Sequence, residues 1–92
     1  MRFEIFIFAL LFVATFVSSC PDEDQDYIGS KDCKHEAGDW KGCQKFCADH
    51  DPCHYWTWNK NTKACCSMLK KNFKGKTKLE GMVSGNWACK KN

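Results

Sequence analysis

At 92 residues, with 43% hydrophobic and 27% charged residues, the chain has room for one domain and no more. Its formal net charge is only +3, so bulk charge alone assigns no partner. Eight cysteines are dense for this length, and a domain so small buries too little apolar surface to be comfortable without staples.

The first element is an apolar run from Ile5 to Val17, IFIFALLFVATFV, interrupted only by Thr15. It is shorter than the roughly 18–20 residues needed to span a bilayer, and it suits the apolar region of a signal peptide. Its basic flank is weak, since Arg2 is offset by Glu4, and a buried core helix is the competing reading. Small residues follow at Ser18 and Ser19, so residues 1–19 are expected to be a signal peptide cleaved after Ser19. The mature domain then runs from 20 to 92. All eight cysteines lie in it, which points to an oxidising compartment, a disulfide framework and a secreted protein. No transmembrane segment is expected.

An acidic arm follows, residues 20–32, with the sequence PDEDQDYIGSKD between Cys20 and Cys33. Its Pro, Asp and Gly content predicts loop or edge structure. From Asp39 to His50, DWKGCQKFCADH reads as a helix. Asp39 is placed to cap the free N–H groups of the first turn, and Cys43, Phe46, Cys47 and His50 fall on one face. Gly42 weakens this helix by about 1 kcal/mol relative to Ala, so packing and crosslinks must hold it. The Asp51-Pro52 step ends it, because the residue before Pro is pushed out of the α region.

Cys53 to Asn59, CHYWTWN, is aromatic and β-branched and predicts a strand. Trp56 and Trp58 share one face of it, Tyr55 and Thr57 the other. Asn59 to Lys63 is a turn, and Ala64 to Leu69 the return strand. There Cys65 and Cys66 point to opposite faces, so one reaches the helix and the other does not. Lys70 to Lys78, KKNFKGKTK, reads as a basic loop, and Gly81 to Cys89, GMVSGNWAC, as a final strand.

Together these residues resemble the PAN/apple family. The resemblance is carried by the C-x-x-x-C helix (Cys43, Cys47), Cys53 opening CHYWTWN, TKAC at Thr62 to Cys65, and VSGNWAC at Val83 to Cys89. It is closest to the short variant that ends in an SG…C strand, and it covers Cys33 to Cys89. It implies an α+β fold in which a curved antiparallel sheet wraps around one helix. It also implies the bridges Cys33–Cys89, Cys43–Cys65 and Cys47–Cys53. Cys20 and Cys66 depart from the family pattern, and as the two extras they are expected to pair as Cys20–Cys66. Sequence alone permits about 105 pairings of eight cysteines, so this set rests on the resemblance. In the chain-entropy model the long Cys33–Cys89 closure contributes ~4 kcal/mol.

The remaining chemistry is sparse. Cys43, Cys47, His50, Cys53 and His54 resemble zinc-ligand spacing, but zinc needs thiolates and export oxidises them. His35, His50 and His54 read as ordinary surface or partly buried residues. A nucleophilic cysteine must be a free thiolate beside a base, and here every cysteine has a partner to find. No enzyme activity and no cofactor is therefore expected. VSSC, Val17 to Cys20, loosely resembles a bacterial lipobox, but lipidating Cys20 strands one of seven remaining cysteines. No N-x-[ST] sequon is present, so N-glycosylation is not expected.

Two features are left as candidate contacts. From Pro52 onward nine lysines face Glu80 alone, whereas nine acids face four lysines between Cys20 and Asp51. Lys70, Lys71, Lys74, Lys76 and Lys78 around Phe73 read either as a polyanion-binding patch or as a solvated loop. Of the four tryptophans, Trp56 and Trp58 read as core, while Trp40 and Trp87 are candidates for partner or sugar contact. The expected function is thus a secreted module that binds an extracellular protein or an anionic glycan, with nucleic acid excluded by export. A venom-type effector on a channel or receptor is the alternative, motivated by a signal followed by one small disulfide-rich domain. A matrix component is the second alternative. Fold alone does not choose among them.

Overall fold

The computed structural model describes residues 20–89, and the expected signal peptide at 1–19 lies outside them. Five strands and one helix follow in the order β1 (Asp22–Ile28), β2 (Asp32–Glu36), α1 (Trp40–Asp49), β3 (Cys53–Asn59), β4 (Ala64–Leu69) and β5 (Gly75–Asn86). A short 3-10 turn at Lys70–Asn72 separates β4 from β5. All strand pairs are antiparallel, and the sheet order is β1-β5-β3-β4-β2. The chain is a small α+β domain with four disulfides.

Helix α1 starts where its cap dictates. The Asp39 carboxylate accepts the Gly42 N–H at 2.9 Å, which satisfies one of the unpaired donors of the first turn. Cys43 and Cys47, one turn apart, are fully buried against the sheet and form the bridges Cys43–Cys65 and Cys47–Cys53. Both bridges reach the two central strands. The core between helix and sheet is Trp56, Trp58, Val83 and these half-cystines, joined by Cys89. Each buried indole has its N–H satisfied: Trp56 donates to the Asn86 carbonyl and Trp58 to the Ala37 carbonyl, both at 2.8 Å. Burying an indole without such a partner carries a desolvation cost, so these two bonds fix where the strand ends must lie.

The opposite face of the sheet carries its own cluster. Tyr55, next to Trp56 but pointing the other way, stacks on Phe73 at 4.6 Å. Tyr27 meets both rings edge-on, at 5.6 Å and 5.2 Å. Met68 and Cys66 are buried on this side as well. At Gly29 (φ +143) a Cβ would stand 2.0 Å from the Asn72 carbonyl oxygen, so only glycine lets the chain leave β1 here.

Three expectations are corrected. The terminal bridges are Cys20–Cys89 and Cys33–Cys66, not Cys33–Cys89 and Cys20–Cys66. Strand order is the reason. β2 and β5 lie three strand spacings apart, about 14 Å, whereas bridged Cα atoms lie within about 7 Å. β2 instead pairs with β4, Asp32 opposite Ser67, which brings Cys33 to Cys66 with Cα atoms 4.0 Å apart. β1 pairs with β5 on the other edge, Asp22 opposite Ser84, and delivers Cys20 to Cys89.

The second correction concerns Lys70 to Lys78. Only residues 70–74 are a turn and link: β5 begins at Gly75, and Lys76 pairs with Tyr27 and Lys78 with Gln25 of β1. β5 accordingly starts earlier than Gly81 and ends at Asn86. The third is β2 itself, a strand of five exposed residues in a segment for which no strand was predicted. The acidic arm, expected as loop or edge, forms the edge strand β1.

Candidate functional site

The candidate lysines gather around the turn into β5. Lys70 and Lys71 sit on the 3-10 turn and Lys74 directly before the strand. Lys76 and Lys78 are two residues apart on β5, so their side chains leave the same face, about 7 Å from each other. That face is the one bearing Tyr27, because the Lys76 ammonium lies 5.6 Å above its ring. Lys76 is also held by the Asp22 carboxylate at 2.8 Å. Lys70, Lys71, Lys74 and Lys78 are exposed and make no ion pair among the described residues.

Asp22 is the hub of this corner. It accepts from the Tyr27 hydroxyl at 2.6 Å and from Lys76. Burial of the phenol, with the Asp22 bond and charge added, pushes the Tyr27 hydroxyl pKa well above its ordinary value. Tyr27 is therefore a protonated donor throughout the physiological range; its bond to Asp22 lies within β1, and it is the Asp22–Lys76 pair that crosses from β1 to β5.

The two candidate tryptophans part ways. Trp40 stacks on Trp56, centroids 5.7 Å apart and planes within 3°, so its ring is committed to packing. Trp87 is 48% exposed while its backbone is pinned on both sides. Its N–H donates to the His54 carbonyl at 2.9 Å, and its own carbonyl accepts from the Gln44 amide. It follows the end of β5, whereas the lysines cluster at the beginning.

A second concavity was not expected. Where the C-terminal end of α1 approaches β2 and β4, a groove of about 450 Å³ opens, lined among others by Lys31, Asp32, His35, Phe46, His50 and Asp51. Phe46 lies between two imidazoles, 4.1 Å from His35 and 4.0 Å from His50. The His50 Nδ1 lies 2.8 Å from the Phe46 carbonyl oxygen, a contact in which the ring N–H donates and the carbonyl accepts. The half of this cluster within the helix was visible as the i, i+4 pair Phe46 and His50; His35 arrives only through the pairing of β2 with β4.

All eight cysteines are paired, so no thiolate is present for nucleophilic or metal chemistry. Among the described residues no three His, Cys, Asp or Glu side chains gather closely enough to hold a metal ion. Also among these residues, no helix is long and apolar enough to cross a membrane. Compared with protein-family models and with curated proteins, the chain matches none.

Proposed function

We propose that the chain is a secreted binding module, of PAN/apple type, that engages an anionic glycan outside the cell. The observation carrying this reading is the set Lys70, Lys71, Lys74 and Lys78, exposed around one turn and free of carboxylate partners among the described residues. Uncompensated lysines held on a rigid frame concentrate positive potential, which attracts sulfate and carboxylate groups and weakens with salt. Four disulfides suit an oxidising, extracellular setting. The family assignment is supported by the cysteine-bearing helix stapled to two aromatic and cystine-rich central strands. Closure of the termini through Cys20 in place of Cys33 is where this chain departs from the family pattern.

The test is retention on a column bearing a highly sulfated polysaccharide. The wild-type protein should be retained and elute with added salt, whereas a K70Q/K71Q/K74Q/K78Q variant should elute at markedly lower salt. Lys76 is left in place because its bond to Asp22 belongs to the fold. Identical elution of the two proteins would remove the lysines as the binding site.

A further inference from the structure

We infer that the Cys33–Cys66 bridge is a thiol-exchange site: an external dithiol attacks the Cys33 sulfur, and Thr57 receives the expelled Cys66 thiolate. The four bridges differ in their surroundings. Cys43, Cys47, Cys65 and Cys89 belong to the core between helix and sheet, and Cys20 and Cys53 pack against it. Cys33 and Cys66 lie outside that cluster. Of the eight half-cystines Cys33 alone is exposed, and it sits on β2, an outermost strand of the sheet. A thiolate attacks only a sulfur it can reach, so exposed bridges exchange while buried ones are inert. What this bridge secures is one edge strand, whose ladder with β4 is interrupted between Asp32 and His35. Opening it leaves the three bridges of the core in place.

The second observation concerns the leaving sulfur. Attack at Cys33 sends the electron pair of the S–S bond to Cys66, which is only 7% exposed. A thiolate expelled into so dry a place needs a hydrogen-bond donor. Thr57 stands directly opposite Cys66, on the same face of the sheet, where the Cβ atoms of such a pair lie about 4.5–5.5 Å apart. Its hydroxyl is buried and has no partner while the bridge is closed. A bridged sulfur is a weak acceptor and a thiolate a strong one. Once released from Cys33, the Cys66 Sγ is free to turn about χ1 and accept the Thr57 O–H. The orphaned hydroxyl of the closed state thus has a use in the open one.

The exchange balances. The first thiolate of the dithiol forms a mixed disulfide with Cys33 as the Cys33–Cys66 bond breaks, and Cys66 takes up a proton. The second, deprotonated, attacks the reagent sulfur of that mixed disulfide, closes the reagent's own disulfide and releases Cys33, which is protonated in turn. The protein gains two thiols and the dithiol loses two electrons. None of this rests on the lysine cluster or on glycan binding.

The oxidised protein is treated with limiting dithiothreitol, quenched at intervals with iodoacetamide, cleaved and read by mass spectrometry. Cys33 and Cys66 should be alkylated about tenfold sooner than any other pair. With glutathione as the reagent, the mixed disulfide should be trapped on Cys33 and not on Cys66. Thr57→Val should slow the opening of this bridge about fivefold relative to the other three. Thr57→Ser, which keeps the hydroxyl, should restore the wild-type ratio. Simultaneous opening of all four bridges, earlier opening of another, or a glutathione adduct on Cys66 would overturn the assignment. So would a ratio that Thr57→Val leaves unchanged.

Discussion

Gly85 lies flat against the indole of Trp56. A Cβ added there would stand 2.9 Å from Cζ2 of that ring and 3.2 Å from the Sγ of Cys89. Neither neighbour can give way: Trp56 is fully buried with its N–H bonded to the Asn86 carbonyl, and Cys89 is bridged to Cys20. Gly85→Ala should therefore overpack the core and cost about 1–3 kcal/mol. Urea unfolding of the oxidised protein, followed by tryptophan fluorescence, measures it. A variant as stable as the wild type would mean that the ring and the strand are further apart than this.

The same contact explains part of what could be read from the sequence. The glycine of VSGNWAC is demanded by a tryptophan 29 positions earlier in CHYWTWN, so the two motifs are halves of one packing unit. The capped helix and the β3–β4 hairpin were legible for local reasons: a cap at Asp39, an aromatic alternation, a polar turn. In that turn Asn59 accepts the N–H groups of Asn61 and Thr62, as an Asx-type turn does. β2 and the first residues of β5 were not legible. DCKHE and GKTK lack apolar alternation, and they are strands only because β4 and β1 lie beside them. Once those pairings are missed, Cys33 is placed on the wrong edge and its bridge goes wrong with it. The lysines were visible as a charge run. The groove was not, because His35 and Phe46 meet through that same unpredicted strand.

Tyr27 gives the protein an alkaline limit. Its hydroxyl pKa is raised in the fold, first by burial and then by the bond to Asp22, from an ordinary value of 10.0. Above that value the unfolded chain loses the proton while the native protein keeps it, so the native state binds more protons. Stability is then complete below about pH 10 and falls as pH rises beyond it. Tyr27→Phe removes the titrating group and should flatten this alkaline limb. At neutral pH it should cost about 1 kcal/mol for the lost hydrogen bond. Denaturant midpoints from pH 8 to 11 separate the two effects. A limb equally steep in both proteins would assign it to another group.

Thr57 is fully buried on β3, and its hydroxyl has no hydrogen-bond partner. Its neighbours across the sheet are Cys66 and Ser84, and the Ser84 hydroxyl is already donated to the Gln25 carbonyl at 2.8 Å. A buried donor without a partner carries a desolvation penalty that valine, of nearly the same shape, does not. Thr57→Val should leave the fold intact and raise stability by about 1 kcal/mol. Thermal unfolding with disulfides intact tests it, and a lower midpoint would show that the hydroxyl is satisfied in solution.

The exchanged bridges can be resolved by cleavage after lysine without reduction. Cys20 lies in the fragment ending at Lys31, Cys33 in 32–34, Cys65 and Cys66 together in 64–70, and Cys89 in 79–90. The observed pairing links the Cys20 fragment to 79–90, and links 32–34 to 64–70. The pairing implied by family resemblance would instead join the Cys20 fragment to 64–70, and 32–34 to 79–90. Mass spectrometry distinguishes the two outright. The Cys33–Cys66 bridge closes a separation of 33 residues, so removing it as the double variant Cys33→Ala/Cys66→Ala should cost about 3–4 kcal/mol in the chain-entropy model. The loss should fall hardest on β2, whose five residues are all exposed and whose ladder with β4 is interrupted between Asp32 and His35. Amide exchange in β2 should accelerate well before exchange in β3. If β2 stayed protected in that variant, its hydrogen bonds to β4, rather than the bridge, would be what holds the edge of the sheet.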